Sequence, residues 1–147
     1  MLSIDNMEAT HPSSFFTEDH RHCDELWAQL EEHPTLEAWR SFDRALRRHF
    51  AMEEDVLFPA IEAAMGMHGA GPTTVMRTEH SQMRAVLEQM GRAAESGNLD
   101  EALDHGDTLL MLTQQHNAKE EGVLYPLADR ATASLWTELR GKLRAFG

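Results

Sequence analysis

Residues 49–62 read HFAMEEDVLFPAIE, and residues 116–129 read HNAKEEGVLYPLAD. Sixty-seven positions apart, the two stretches share seven of fourteen residues: a His, an Ala, two Glu, a Val, a Leu and a Pro. An aromatic residue precedes the Pro in both, and an acid closes both. In each copy the His and the first Glu are four positions apart, His49 with Glu53 and His116 with Glu120. On an α-helix that spacing puts the pair one turn apart on a single face. The neighbouring apolar residues mark that face as the inward one. Phe42, Leu46, His49, Glu53, Val56 and Ala60 form one stripe. Ala102, His105, Leu109, Leu112, His116, Glu120, Val123 and Leu127 form another.

Each copy is preceded by a further helical stripe. Phe16, His20, Cys23, Trp27 and Leu30 lead into the first, and Met76, His80, Met83, Leu87 and Met90 into the second. Ser13, Ser14 or Thr17 is expected to cap the first helix, Thr35 the second after the break at Pro34, and Asp100 the fourth. MGMHGAGPTT, residues 65–74, is the central turn, and a short amphipathic helix over about 131–145 presents Leu135, Leu139 and Leu143. Strand signals are nearly absent. Long helices joined by short connections predict an all-α fold, an antiparallel up-down-up-down four-helix bundle with a short C-terminal helix. The domain reading is a polar N-terminal arm over 1–13 and a single bundle domain over 14–147. The pairs Asp19-His20 and Glu79-His80 also correspond, so the chain reads as two related hairpins face to face about a pseudo-twofold.

Composition narrows the function. A chain of 147 residues suits one hydrophobic core. Its net charge of −12 repels phosphate, which argues against nucleic-acid and acidic-membrane partners. The single cysteine, Cys23, excludes an intrachain disulfide and any multi-Cys metal site. The N-terminus has neither the basic start nor the apolar run of an export signal, and no apolar stretch approaches the ~20 residues of a membrane span. A cytoplasmic location is expected.

Counting helical rise from the turns puts the histidines of each hairpin at one level. Four helices then deliver His20, His49, His80, His116, Glu53 and Glu120 to one layer of the core. Left unpaired there, each carboxylate would cost on the order of several kcal/mol. Metal is the simplest remedy. Four imidazoles and two carboxylates are too many for one tetrahedral zinc. Divided by the pseudo-twofold they give two ions, each with two His and shared Glu bridges. Mixed nitrogen and oxygen ligation suits two Fe ions, with Mn as second choice. Two carboxylates cancel only part of the charge of two ferric ions, so an oxo or hydroxo bridge is expected. A ferritin-like site needs ExxH motifs, and the one present, Glu8 to His11, lies in the arm. HExxH is absent.

Several neighbours read more plainly. Glu54 and Glu121 are solvated or support the ligands; the methionines fill the core; Cys23 is a buried inert thiol. His105 is a core polar residue or an end-of-bundle contact, and His22 and His33 face solvent. Phe58 and Tyr125 wall the pocket by packing, with donation of a hydrogen bond or an electron as the second reading of Tyr125, and Pro59 and Pro126 bend their helices.

The ordered set of DH at 19–20, HFAMEEDVLFP at 49–59, EH at 79–80 and HNAKEEGVLYP at 116–126 resembles the hemerythrin-like family, the HHE cation-binding domain, over about residues 15–130. That resemblance implies a four-helix bundle around a non-haem di-iron centre. Activities in the family include reversible dioxygen binding, oxygen or redox sensing, nitric oxide response, iron sensing and repair of damaged iron–sulfur clusters. The family's oxygen carriers use five histidines, with HxxxH on the third helix and HxxxxD on the fourth. Here Arg84 and Met76 stand four positions either side of His80, and Glu121 stands where the Asp would. The symmetric set of four His and two Glu is more similar to the iron–sulfur repair and nitric-oxide-responsive branch. Repair proteins of that branch usually carry an extra cysteine-containing N-terminal domain, which these residues do not include. The expected function is a di-iron protein that binds or senses a small diatomic ligand, dioxygen or nitric oxide. The second reading is a di-iron protein that reacts with peroxide or acts in iron–sulfur cluster repair or iron donation.

Overall fold

The computed structural model describes residues 9–147. The rest of the expected arm, including Glu8, lies outside them. Helix α1 (Pro12–Glu32) starts with its Pro in the first turn, where a missing amide hydrogen is harmless. The cap is His11, in extended conformation, and not one of the three expected hydroxyl residues. Ser14 Oγ accepts from the His11 amide at 3.3 Å, and Ser13 is turned instead to Asp129, its amide 2.9 Å from the carboxylate. Helix α2 (Leu36–Met52) is capped as expected by Thr35, whose side chain accepts from Ala38 N at 3.0 Å.

A π-helical turn, Glu53–Leu57, joins α2 to α3 (Phe58–Met65), and a second, Glu120–Leu124, joins α5 (Leu99–Lys119) to α6 (Tyr125–Ala131). Both have one cause in the sequence. A proline ring inside a straight α-helix collides with the carbonyl four residues back and offers it no hydrogen. Widening the turn by one residue relieves this: the amides of Phe58 and Tyr125, next to Pro59 and Pro126, donate five residues back to Glu53 and Glu120. The extra residue rotates the helix beyond it. Val123, expected to face inward, is 64 % exposed, and Leu124 takes its place in the core.

Gly66, in the left-handed region at φ 65°, ends α3, and the central turn leads to α4 (Pro72–Glu95). Asn98, not Asp100, caps α5 by accepting from Glu101 N at 3.1 Å. After α6 a 3-10 turn, Ala133–Leu135, leads into α7 (Trp136–Leu143), so the final helix is shorter than expected. Leu135 is exposed, while Trp136, Leu139 and Leu143 are buried.

The result is the expected all-α bundle of four long antiparallel rods with a short C-terminal helix. Hairpins α1–α2 and α4–α5 pack against each other, α1 beside α6 and α2 beside α4. Two apolar clusters fill it. One, around Phe15, Phe58, Ile61 and Leu124, is closed by α7; the other, around Trp27, Trp39, Leu87 and Leu109, fills the opposite end. Between them lies a buried polar layer: Asp19, His20, His49, Glu53, His80, His116 and Glu120. No helix among the described residues is long and apolar enough to cross a membrane.

Candidate metal centre

All six residues expected to share a layer do so, and their donor atoms converge. Glu53 Oε1 lies 3.3 Å from His49 Nε2 and 3.1 Å from His80 Nε2. Glu120 Oε1 lies 3.0 Å from His20 Nε2 and 3.1 Å from His116 Nε2. Each glutamate therefore touches one imidazole from each hairpin. The result is two overlapping sets, His20, His49, Glu53 and Glu120 in one, and Glu53, His80, His116 and Glu120 in the other. Within each set the donors lie within 4.8 Å of one another.

The outer nitrogens decide what the inner ones can do. His20 Nδ1 lies 2.7 Å from Glu121, His80 Nδ1 2.6 Å from Glu54, His49 Nδ1 2.8 Å from Asp19 and His116 Nδ1 2.9 Å from Glu79. A carboxylate accepts, so each Nδ1 donates a hydrogen and each neutral ring turns its Nε2 lone pair inward. A carboxylate behind a ligating imidazole fixes ring and tautomer in this way at metal sites. Inside the layer, His49 Nε2, Glu53 Oε1 and Glu120 Oε2 are buried without a hydrogen-bond partner, although His49 and Glu53 sit close together. Orphaned acceptors aimed at one another are what a cation resolves.

The protein-family comparison agrees with this geometry: the model described as hemerythrin HHE cation binding domain matches residues 11–128. The chain belongs to the HHE cation-binding domain family. Among its relatives is an "iron-sulfur cluster repair protein YtfE" of Musicola paradisiaca, 31% identical over 96 residues, which are 60% of this chain and 43% of that protein. The YtfE of Cronobacter sakazakii is 46% identical over 43 residues, 29% of this chain and 20% of the relative. That of Escherichia coli O1:K1 is 31% identical over 91 residues, 56% and 41%. The matches thus span less than half the length of these relatives. No solved structure matches.

The HHE layer holds more than its six donors. Tyr125 does more than wall the pocket. Its hydroxyl donates to Glu53 Oε2 at 2.6 Å and lies 3.0 Å from Glu120 Oε1 and 3.1 Å from His20 Nε2. Burial, then the charges of Glu120 and Glu53, push this phenol well above its ordinary pKa, so it stays a neutral donor. Phe58, at the matching place in the other copy, stacks on His80 at 5.6 Å, as does Phe50 at 4.3 Å. Among the histidines, burial pulls His49 down, but the Glu53 charge and the hydrogen bond to Asp19 outweigh it and hold the imidazole well above its usual value. His116 is raised likewise, burial being outweighed chiefly by Glu120. Burial raises Glu120, and the imidazoles of His116, His20 and His49 around it overcome that and hold it well below the carboxylate range. A proton on His49 or His116 is therefore favoured beside these acids.

Glu54 and Glu121 take the supporting alternative left open for them, on the outer imidazole nitrogens. Asp19 and Glu79 join them, and the acid placed directly before each first-helix histidine was their signal. His105, placed on the inward stripe, is half-exposed beside Glu101, 3.9 Å away, at the bundle rim. Cys23 is buried as expected, and burial pushes its thiol up to about 12, which suits an inert role.

Proposed function

We propose that this domain holds two iron ions and uses them to bind or sense a small diatomic ligand, dioxygen or nitric oxide. The carrying observation is the arrangement of four imidazoles with every Nδ1 held by a carboxylate and every Nε2 turned toward two shared glutamates. His20, His49, Glu53 and Glu120 would hold one ion, and His80, His116 and the same two glutamates the other. The donor set fits: two imidazole nitrogens and two carboxylate oxygens per ion suit iron, with manganese the second choice, and exceed what a tetrahedral zinc with an open position takes. Two bound iron ions supply open coordination positions and one-electron chemistry that side chains lack. The protein's own part is placement and exclusion. The acids behind the rings keep each Nε2 in its ligating form, and the apolar clusters above and below keep bulk water from the layer. Tyr125 presents the one phenolic hydroxyl to its interior.

A second reading, iron donation or iron–sulfur cluster repair, rests on the name the relatives carry and on the symmetric donor set. Reaction with peroxide is a further outcome the same centre would permit. Anaerobic titration of iron-loaded protein with dioxygen and nitric oxide, followed optically, separates them. Reversible new bands support binding or sensing, whereas iron appearing in a damaged acceptor cluster supports donation. Metal analysis should give two ions per chain, and the double variant His49→Ala/His116→Ala should hold none. A native protein that folds fully and carries no metal after growth with iron would overturn the proposal.

A further inference from the structure

The pseudo-twofold equates the two halves of the centre in ligand type but not in what covers them. Outside the His80 half, Arg84 bonds Glu54 at 2.8 Å and lies over the Phe50 ring at 5.3 Å. Arg77 lies over Phe58 at 5.4 Å and donates to the Glu54 carbonyl at 3.3 Å. Glu54 is 19 % exposed beneath this cover. The corresponding residues outside the His20 half are different in kind. Asp24 stands four after His20 where Arg84 stands four after His80, Asn117 matches Phe50, and Thr17 matches Arg77. Glu121, the match of Glu54, is 42 % exposed, and its one ion pair among the described residues is with His20. It also lines an open groove between α1 and α5 whose walls include Asp24, Glu31 and Asn117 and no basic side chain. Glu121 thus touches His20 Nδ1 on one side and lines this groove on the other.

Charge is divided between the same two faces. Helices α1 and α5 carry ten Asp and Glu against two basic side chains, whereas α2 and α4 carry seven arginines against five acids. A concave, one-signed surface concentrates ions of the opposite sign.

We infer that the α1–α5 groove is the entry for cations and small ligands, with Glu121 as its gate, and that the His20–His49 half is the exchanging half of the centre. This rests on the proposed two-ion centre. The groove gathers cations, Glu121 swings from His20 Nδ1 to admit them, and the Arg84–Glu54–Phe50 cover keeps the other half shut. Asn117 leaves room where a Phe would close the wall.

The test is release of ferrous iron from anaerobic protein to a chelator, timed by stopped flow, after metal analysis has established that two ions are bound. Failure of that first step is failure of the two-ion reading, not of the route. Asp24→Arg, which installs the matching cover on an exposed position, should slow the initial release about tenfold. Asn117→Phe should slow it too, with Asn117→Leu as the smaller replacement if Phe disturbs folding, and Glu121→Ala should speed it. Arg84→Gln should leave the first, fast phase unchanged and speed only the later release from the covered half. Uptake should slow as salt rises, because the groove's field is screened. If Asp24→Arg and the Asn117 variants all release at the native rate, or if Arg84→Gln is the variant that accelerates the first phase, the entry lies elsewhere and the inference is wrong.

Discussion

At the scale of single residues, the layer is held by its outer rim, where each imidazole Nδ1 has its own carboxylate. Tyr125 shows how much one hydroxyl carries: it is fully buried and its shortest bond, 2.6 Å, reaches a carboxylate on the other hairpin. Tyr125→Phe keeps the ring and its contact with Phe16, yet leaves Glu53 Oε2 without its donor. The metal-free variant should lose about 1–3 kcal/mol, the penalty for a buried acceptor left unpaired, as read by denaturant unfolding under chelator. A loss near zero would mean that water replaces the hydroxyl. Phe58, at the mirror position, carries no hydroxyl and stacks on His80. The duplication is thus symmetric in ligands and asymmetric in this one donor.

At the scale of elements, two devices set the register of the rods. The π turns make each proline-containing helix one residue longer than an α-helix would be, which turns Tyr125 toward the layer and Val123 to solvent. The second device is close approach at the far end of the bundle. A Cβ built on Gly106 of α5 would overlap the edge of the Trp27 ring on α1. Gly106→Ala gains about 1 kcal/mol of helix propensity, but overpacking against a buried indole costs about 1–3 kcal/mol. A net fall in the melting temperature is the expected result, and a rise would show that α1 and α5 part easily. Since those two helices also wall the groove beside His20, their spacing is set by a residue that no ligand motif includes.

At the scale of the whole molecule, the bundle places two carboxylates with no exposure between two apolar clusters, and something positive must accompany them. Protons serve when cations are absent, because His49 and His116 are held above their usual value. That direction sets the sign. An imidazole raised on folding adds stability that is present below its unfolded pKa and is lost as pH rises through the folded one. Cation binding must displace these protons, so uptake should weaken as pH falls and should release protons to buffer. Chelation should therefore lower the melting temperature more at about pH 8 than at about pH 5.5, either side of the ordinary histidine pKa. Calorimetric scans with and without chelator check this; equal shifts at both values would show that protons and cations do not compete for the layer.

The sequence by itself determined the all-α bundle, the two hairpins and the six residues of the layer. All of that comes from periodicity: a His and a Glu four apart on an apolar stripe can only point inward together. Short-range rules also placed Thr35 as a cap and Pro59 and Pro126 as breaks in the α-helix. They did not say that the break would be a π turn. Hence Val123 was assigned inward and Tyr125 chiefly to packing, with a donated hydrogen bond only as its second reading, since one added residue in a turn leaves no mark on a stripe. Tertiary structure decided which acid meets which outer nitrogen. Glu121 bonds a histidine 101 positions earlier, and Asp19 one 30 positions later. Such pairs are set by how rods lie across one another, which depends on side-chain volumes at every contact and not on the spacing within any one helix.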